Sequence, residues 1–207
     1  MPRADTFIPA SRGKFLANYT AIAEVSQTLV TVLTAGLSEL RTVVRMDDLQ
    51  TTPSTSNLLT LFLFQIREDG HSRNRPSEVR TQGNKSIIQR PPLALCVHYM
   101  LTPWAAQQED NQRILGQAMQ TLHDSAITSG PLLSGSLKQA NEALHLALVP
   151  LSLEDQLRVW NGLNKPYRLS LHYEVRVVRI ASRIEEERST ARTRGVSPAL
   201  PEPEAEA

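Results

Sequence analysis

Apolar and polar positions recur along this chain at two different periods, and the change of period marks the elements. From Thr20 onward, Ile22, Val25, Leu29, Val32, Leu33, Leu37 and Leu40 form a run with helical spacing, one stripe on a helix surface. Thr20 is the expected N-cap, and Glu24 just inside is favourable at the positive end of the helix dipole. A second amphipathic helix is expected over residues 107–124, with Ile114, Leu115, Ala118, Met119 and Leu122 on one side. A third follows Pro150. Ser152 is its expected cap, Glu154 and Asp155 fill the first turn, Leu157 and Trp160 are buried, and Gly162 is the stop.

Between the helices the period shortens. The segment from Arg90-Pro91-Pro92 to Thr102-Pro103-Trp104 is almost continuously apolar and bounded by prolines. Proline cannot donate to a ladder, so it punctuates strand ends. Leu93, Leu95, Val97, Tyr99 and Leu101 share one face, and Ala94, Cys96, His98 and Met100 share the other. A strand apolar on both faces is covered on both faces, so this is the expected centre of a sheet. Further strands are expected at residues 42–46, 57–66, 144–149 and 168–180. In the last, Leu169, Leu171, Tyr173, Val175 and Val177 alternate with Ser170, His172, Glu174 and Arg176. That alternation reads as a strand with one wet face, at a sheet edge or interface.

Three stretches lack either period. Residues 1–19 read as a flexible arm, 67–89 as a long loop, and 181–207 as a disordered charged tail ending in Pro, Glu and Ala. The fold class expected is therefore α+β: one domain over 20–180, with a mixed or antiparallel sheet of about four or five strands covered by about three helices.

Composition narrows the function classes. In 207 residues, 22 Lys and Arg against 21 Asp and Glu leave a net charge of +1. That balance disfavours a dedicated nucleic-acid binder, whose affinity comes from neutralising phosphates. The 67–89 stretch is nonetheless locally basic, with Arg67, Arg73, Arg75, Arg80 and Lys85 against Glu68, Asp69 and Glu78. A single Cys excludes an internal disulfide and fits a reducing compartment. No apolar run reaches the roughly 18 residues of a membrane span, and the N-terminus lacks a secretory pattern. The expectation is a cytoplasmic protein without membrane insertion.

Candidate chemistry is sparse. There is no glycine-rich phosphate loop, nucleophile elbow or His-Glu-x-x-His. A metal reading would gather Cys96, His98, His123, His145 and His172, but only Cys96 and His98 are close in sequence, and two ligands do not make a site. A buried thiol beside a hydrogen-bonded imidazole is the favoured account. The repeated pairs His98-Tyr99 and His172-Tyr173 read as two similar sheet positions rather than a catalytic dyad. Trp104 and Trp160, beside apolar runs, read as core or interface anchors. No catalytic residue, metal or cofactor is expected.

Several segments together resemble one family. They are Ala21-Ile22-Ala23-Glu24-Val25-Ser26, the strand from Leu58 to Phe64, Arg90-Pro91-Pro92-Leu93-Ala94-Leu95, and His98-Tyr99-Met100-Leu101-Thr102. They continue with Leu115-Gly116-Gln117-Ala118-Met119-Gln120-Thr121-Leu122-His123-Asp124, Pro150-Leu151-Ser152-Leu153-Glu154-Asp155, Trp160, Pro166-Tyr167-Arg168-Leu169-Ser170 and Tyr173-Glu174-Val175-Arg176-Val177-Val178. In this order the chain resembles the cap, or tail-terminator, proteins of phage-tail-like contractile injection systems, of the virulence-cassette and antifeeding-prophage type. The resemblance implies a homohexameric ring on the distal end of the inner tube and contractile sheath. Such a ring ends polymerisation and fixes length, with the terminal sheath ring and terminal tube ring as partners. It implies no catalytic residues and a place in a particle assembled in the cytoplasm, extracellular if the particle is released.

Against that implication, a head-to-tail ring needs two different surface patches. The strands at 42–46 and 168–180 are the expected exposed edges, and an edge can accept a strand from another chain. Tyr173, Val175 and Val177 are the expected contacts on the 168–180 strand, and Trp104 is a further expected partner contact. Arg73, Arg75, Arg80 and Lys85 are the expected contacts with the tube rim, screened by salt. Two alternatives stay open: another tail connector or adaptor of the same particle, and a small-molecule-binding α+β module.

Overall fold

The computed structural model of the chain describes residues 17–50, 57–82, 85–139 and 143–189. In chain order the elements are α1 (Ala21–Gly36), a 3₁₀ turn (Ser38–Leu40), β1 (Val43–Met46), β2 (Leu58–Glu68), β3 (Glu78–Gln82) and β4 (Lys85–Gln89). There follow β5 (Leu93–Trp104), α2 (Gln108–Asp124), β6 (Ile127–Ser129), two 3₁₀ turns (Gly130–Leu132 and Gly135–Lys138), β7 (Ala143–Leu148), α3 (Leu153–Gly162), β8 (Leu171–Ile180) and β9 (Glu185–Ser189). They divide into two compact units: Met1–Arg75 with Pro92–Ser182, and Pro76–Pro91 with Arg183–Ala207.

In the first unit a six-stranded sheet runs β1-β2-β5-β8-β7-β6. Only β1 is parallel to its neighbour; every other pair is antiparallel. All residues of β5 but the first are buried, which an edge strand could not achieve. The two faces separate as the alternation requires. Leu95, Val97, Tyr99 and Leu101 join Leu59, Leu61, Val175 and Val178 in the larger core, closed by Val25, Leu29 and Leu33 of α1 and Ile114, Leu115 and Leu122 of α2. On the opposite face Met100 and Trp104 pack with Leu49, Leu58 and Trp160 of α3. At roughly 1.5–3 kcal/mol per fully buried large apolar side chain, the two faces together give β5 the largest burial of any strand here.

Local polar contacts set where the helices begin. Thr20 stands at the N-cap of α1, but its side chain makes no bond to the helix backbone. The capping work falls to Asn18, whose side-chain oxygen accepts from Thr20 N at 2.8 Å. Glu24 reaches across to the 3₁₀ turns, accepting from Ser136 Oγ at 2.7 Å and Leu137 N at 3.2 Å. Burial would raise its pKa, but hydrogen bonds from Thr20, Ser136 and Leu137 outweigh that and hold it below the usual value. Asn111 is buried and closes the turn between β5 and α2, its Oδ1 accepting from Ala105 N at 2.9 Å. In α3, Ser152 Oγ accepts from Asp155 N at 3.1 Å, as expected of the cap. Leu157 is exposed rather than buried, and the left-handed residue after the helix is Asn164.

Elsewhere the structure departs from the sequence reading. The main sheet has six strands, because the Ser- and Gly-rich stretch after α2 contributes the short β6. Strand β8 is not an edge: β5 and β7 pair with it on either side. The expected 67–89 loop contains the β3–β4 hairpin, whose alternation is too polar to register as a strand pattern. Residues 185–189, expected within a disordered tail, form β9 and complete a second sheet of order β3-β4-β9. Ala17, expected in the arm, is buried and bridges Ile180. The expectations for 1–16 and 190–207 lie outside the described residues.

The approach of α1 to α2 is tight enough to require glycine at the end of α1. A Cβ at Gly36 would overlap the Thr121 hydroxyl and methyl, and Gln117 Nε2 donates to Gly36 O at 3.2 Å. Gly36→Val should lower stability by roughly 1–3 kcal/mol in urea denaturation. Gly36→Ala should also destabilise, and adding Thr121→Ala should recover only part of that loss, because the Thr121 Cβ itself would lie 2.8 Å from the new Cβ.

Candidate functional site

The main sheet ends in β1 on one side and in the three-residue β6 on the other; β1 is the longer edge. Its residues Val43 and Met46 are 52% and 50% exposed, and among the described residues it pairs only with β2. Val43 N donates to Asn57 O at 2.9 Å and Asp47 N to Leu61 O at 3.1 Å. Because ladder groups alternate in direction along a strand, the backbone groups of Val44 and Met46 point outward, away from β2. Asp47 ends the strand by accepting from Leu49 N at 2.8 Å and Arg45 Nε at 3.0 Å.

Beside this edge lies a groove of about 820 Å³, lined by Tyr19, Ile22 and Ala23 of the α1 entrance and by Met46, Phe62 and Leu63. At its base Ser26 Oγ and Tyr99 Oη share a hydrogen bond of 2.8 Å. Burial pushes the Tyr99 phenol up to about 12, against the opposing bond from Ser26, so it stays neutral. Asp47 and Asp48 also line the groove, and their carboxylates accept from Leu49 N and Gln50 N. An apolar channel alongside an unpaired strand suits an extended peptide, which supplies its own backbone donors and acceptors. A small ligand would need convergent free polar groups to fix its orientation. The sequence signal for this site is Ser26, a polar residue within the apolar stripe of α1.

The expected contact residues are scattered. Tyr173 and Val175 are buried in the core, Val175 completely. A bulge explains the misreading of this strand: Leu95 faces Val178 and Val97 faces Val175, so Val178 takes the core position that strict alternation assigns to Val177. Val177 is half-buried. Proline at Val175 would therefore break an interior ladder and report on folding rather than docking. Trp104 is also buried. Its Nε1 donates to Thr60 Oγ1 at 3.0 Å, and the Arg168 guanidinium lies 4.2 Å from its ring centroid. Arg73 and Arg75 are exposed. Arg80 sits on β3 opposite Ile87, its side chain outside the described residues. Lys85 is exposed but ion-paired with Glu187 at 2.8 Å.

The histidine and cysteine candidates do not converge. Among the described residues no three His, Cys, Asp or Glu side chains could hold a metal. Burial, with the charges of Glu174 and Asp69, pushes the Cys96 thiol up, away from the thiolate. The repeated His-Tyr pairs do occupy similar positions: Tyr99 pairs with Tyr173, and Met100 with His172. Phe64 packs on both imidazoles, 6.1 Å from His98 and 5.6 Å from His172 between centroids. Neither Nε2 has a hydrogen-bond partner, though His98 lies 3.5 Å from Glu174. Burial lowers both, His98 with Glu174 opposing, and His172 to about 4.

A histidine held neutral in the fold takes its proton more readily when unfolded. The His172 site therefore destabilises the protein as pH falls from the unfolded value of about 6.5 towards 4. His172→Leu should flatten that part of the acid limb in denaturant titrations. At neutral pH it should be neutral or stabilising, since it removes a buried unsatisfied nitrogen that costs about 1–3 kcal/mol.

The chain matches the family described as Pvc16 N-terminal domain over residues 24–194. No curated protein matches it. Among solved structures it is similar to the sheath/tube terminator of the PVC extracellular contractile injection system in its extended state. The TM-score is 0.63 at 23% identity, covering 93% of this chain and 67% of that one. It is also similar to the tube-terminating cap of the anti-feeding prophage, with TM-score 0.61 at 19% identity, covering 89% of this chain and 62% of that one. The chain thus spans about two thirds of the length of these structures. It belongs to the Pvc16 N-terminal domain family.

Proposed function

We propose that this member of the Pvc16 N-terminal domain family is a structural cap of a contractile injection system. It forms a ring, of six copies, on the terminal rings of inner tube and sheath, ends their polymerisation and fixes their length. The role is non-catalytic, and the chain carries it as part of a particle. Among the described residues no helix is long and apolar enough to cross a membrane, in keeping with attachment through protein contacts.

The observation that carries this reading is the unpaired β1 edge beside an apolar groove, on a fold similar along nearly its whole length to a sheath/tube terminator. A terminator must engage the growing end without offering the same end again. An edge strand does this: it binds one extended segment of the terminal sheath subunit by β-augmentation and is then consumed. The sequence pattern offered two strands for this contact, and the pairing of β8 on both sides favours β1.

The test is the length distribution of particles assembled with the wild-type chain or with Met46→Pro. Met46 is exposed and its N–H faces outward, so proline there removes a docking donor while sparing the β1–β2 ladder. Stability should change by less than about 1 kcal/mol, while sheaths and tubes become long and variable. Uniform particles with this variant would remove β1 from the capping contact.

A further inference from the structure

Strand β2 runs from Leu58 to Glu68, and β1 pairs only with its beginning, Leu58 to Leu61. Asp47 N closes that pairing on Leu61 O, and the chain then leaves the strand through Leu49 at φ 58°. From Leu63 to Glu68 no strand among the described residues lies on the outer side of β2. Backbone direction along this half follows from its partners. Leu61 faces β1, so alternation turns the N–H and C=O of Leu63 outward too. A bulge between Leu63 and Gln65 resets the phase. Beyond it Asp69 N donates to Ala94 O at 2.8 Å, so Arg67 and Gln65 face β5 while Ile66 and Glu68 face outward. Ile66 is 45% exposed.

The result is an open ladder in line with β1, roughly 20 Å long at the rise of a strand. Its near end is the groove, where Leu63 stands with Ile22 and Ala23 of α1 and with Asp47 and Asp48. Ile22 and Ala23 offer only apolar surface. The Asp47 charge is compensated by Arg45 at 2.8 Å. Asp48 is exposed and accepts from Gln50 N at 3.0 Å, but forms no ion pair among the described residues. At the far end Arg67 and Glu68 are exposed on opposite faces of the strand and balance each other. Charge therefore selects at one point, beside Asp48, and the rest of the ladder asks for backbone and apolar contact.

We infer that the open half of β2 is a second strand seat, which takes an extended segment of the terminal inner-tube subunit. That segment sets an apolar side chain against Ile22 and Ala23 and carries a lysine or arginine where it passes Asp48. Its backbone pairs with Leu63, Ile66 and Glu68. A cap of the kind proposed above ends two polymers, and the segment received by β1 accounts for one of them. A strand in line with β1 uses different backbone groups, so both seats are filled at once without competition. The inference rests on that capping role and names where the second partner attaches. The contact that the sequence suggests for Arg73, Arg75, Arg80 and Lys85 moves to the sheet edge.

Co-sedimentation of the full chain with tubes and with sheaths, each assembled separately from its own subunits, tests it. Ile66→Pro removes an outward N–H and spares the β2–β5 ladder. Asp48→Lys reverses the charge at the groove and, on an exposed side chain, leaves the fold intact. Both variants should bind tube ends about tenfold more weakly than the wild type, keep its binding to sheath ends and melt close to it. Met46→Pro should show the opposite preference. Wild-type tube binding should also weaken as salt rises. Tube binding at wild-type strength by both variants would overturn the seat. Loss of sheath binding in place of tube binding, or loss of rings by the free protein, would give the seat to another occupant and overturn the inference as well. A wild type that binds sheath ends but not tube ends would overturn it while leaving the β1 contact standing. A wild type that binds neither would remove the capping role itself.

Discussion

Burial of β5 on both faces is the constraint from which most of the first unit follows. A strand with water on neither side needs a neighbour along each edge and a layer on each face. Here β2 and β8 supply the edges, α1 and α2 one layer, and Leu49 with the α3 residue Trp160 the other. Polar groups caught between the layers must find one another. Trp104 bonds to Thr60, Thr60 to the Thr102 carbonyl, and Thr102 to Ser170 at 2.9 Å. Each such group left unpaired would cost about 1–3 kcal/mol, a large share of the stability of a domain this size. The buried nitrogens of His98, His172 and Trp160 are among the places where this matching is incomplete, and the two histidines make the centre of the sheet sensitive to acid.

Closing the middle of the sheet concentrates its unused hydrogen-bonding capacity at the ends. Strand β1 carries an apolar groove beside it, while β6 is only three residues long and leaves Ile127 65% exposed. A short edge offers little to an incoming strand, and a longer one flanked by a groove offers a seat. Among the described residues the second sheet leaves the outer edges of β3 and β9 open. Backbone groups facing outward are a liability in a monomer and an asset in a part whose working state is an assembly.

Much of this was legible in the chain itself. Periodicity placed all three helices and the five longest strands of the main sheet, and continuous apolarity identified β5 as interior. The cap of α3 followed from Ser152, and the ordered series of segments pointed to a terminator. Those features are local: spacing, capping and bounding prolines act over a few residues. What remained hidden depends on residues far apart in sequence. Capping of α1 by Asn18, the Glu24 link to Ser136 and the need for glycine opposite Thr121 are settled by where distant segments meet. The β3–β4 hairpin and β9 carry too few apolar residues to declare a strand; pairing, not periodicity, makes them one sheet. The bulge in β8 exchanges Val178 for Val177 in the core, and the partners of β8 turn an apparent edge into an interior strand. The sequence by itself determined which segments could be helix or strand and which family they resemble. Only the tertiary structure decided which strand stands at the edge, because edge and interior differ in neighbours, and neighbours are assigned by the packing of the whole chain.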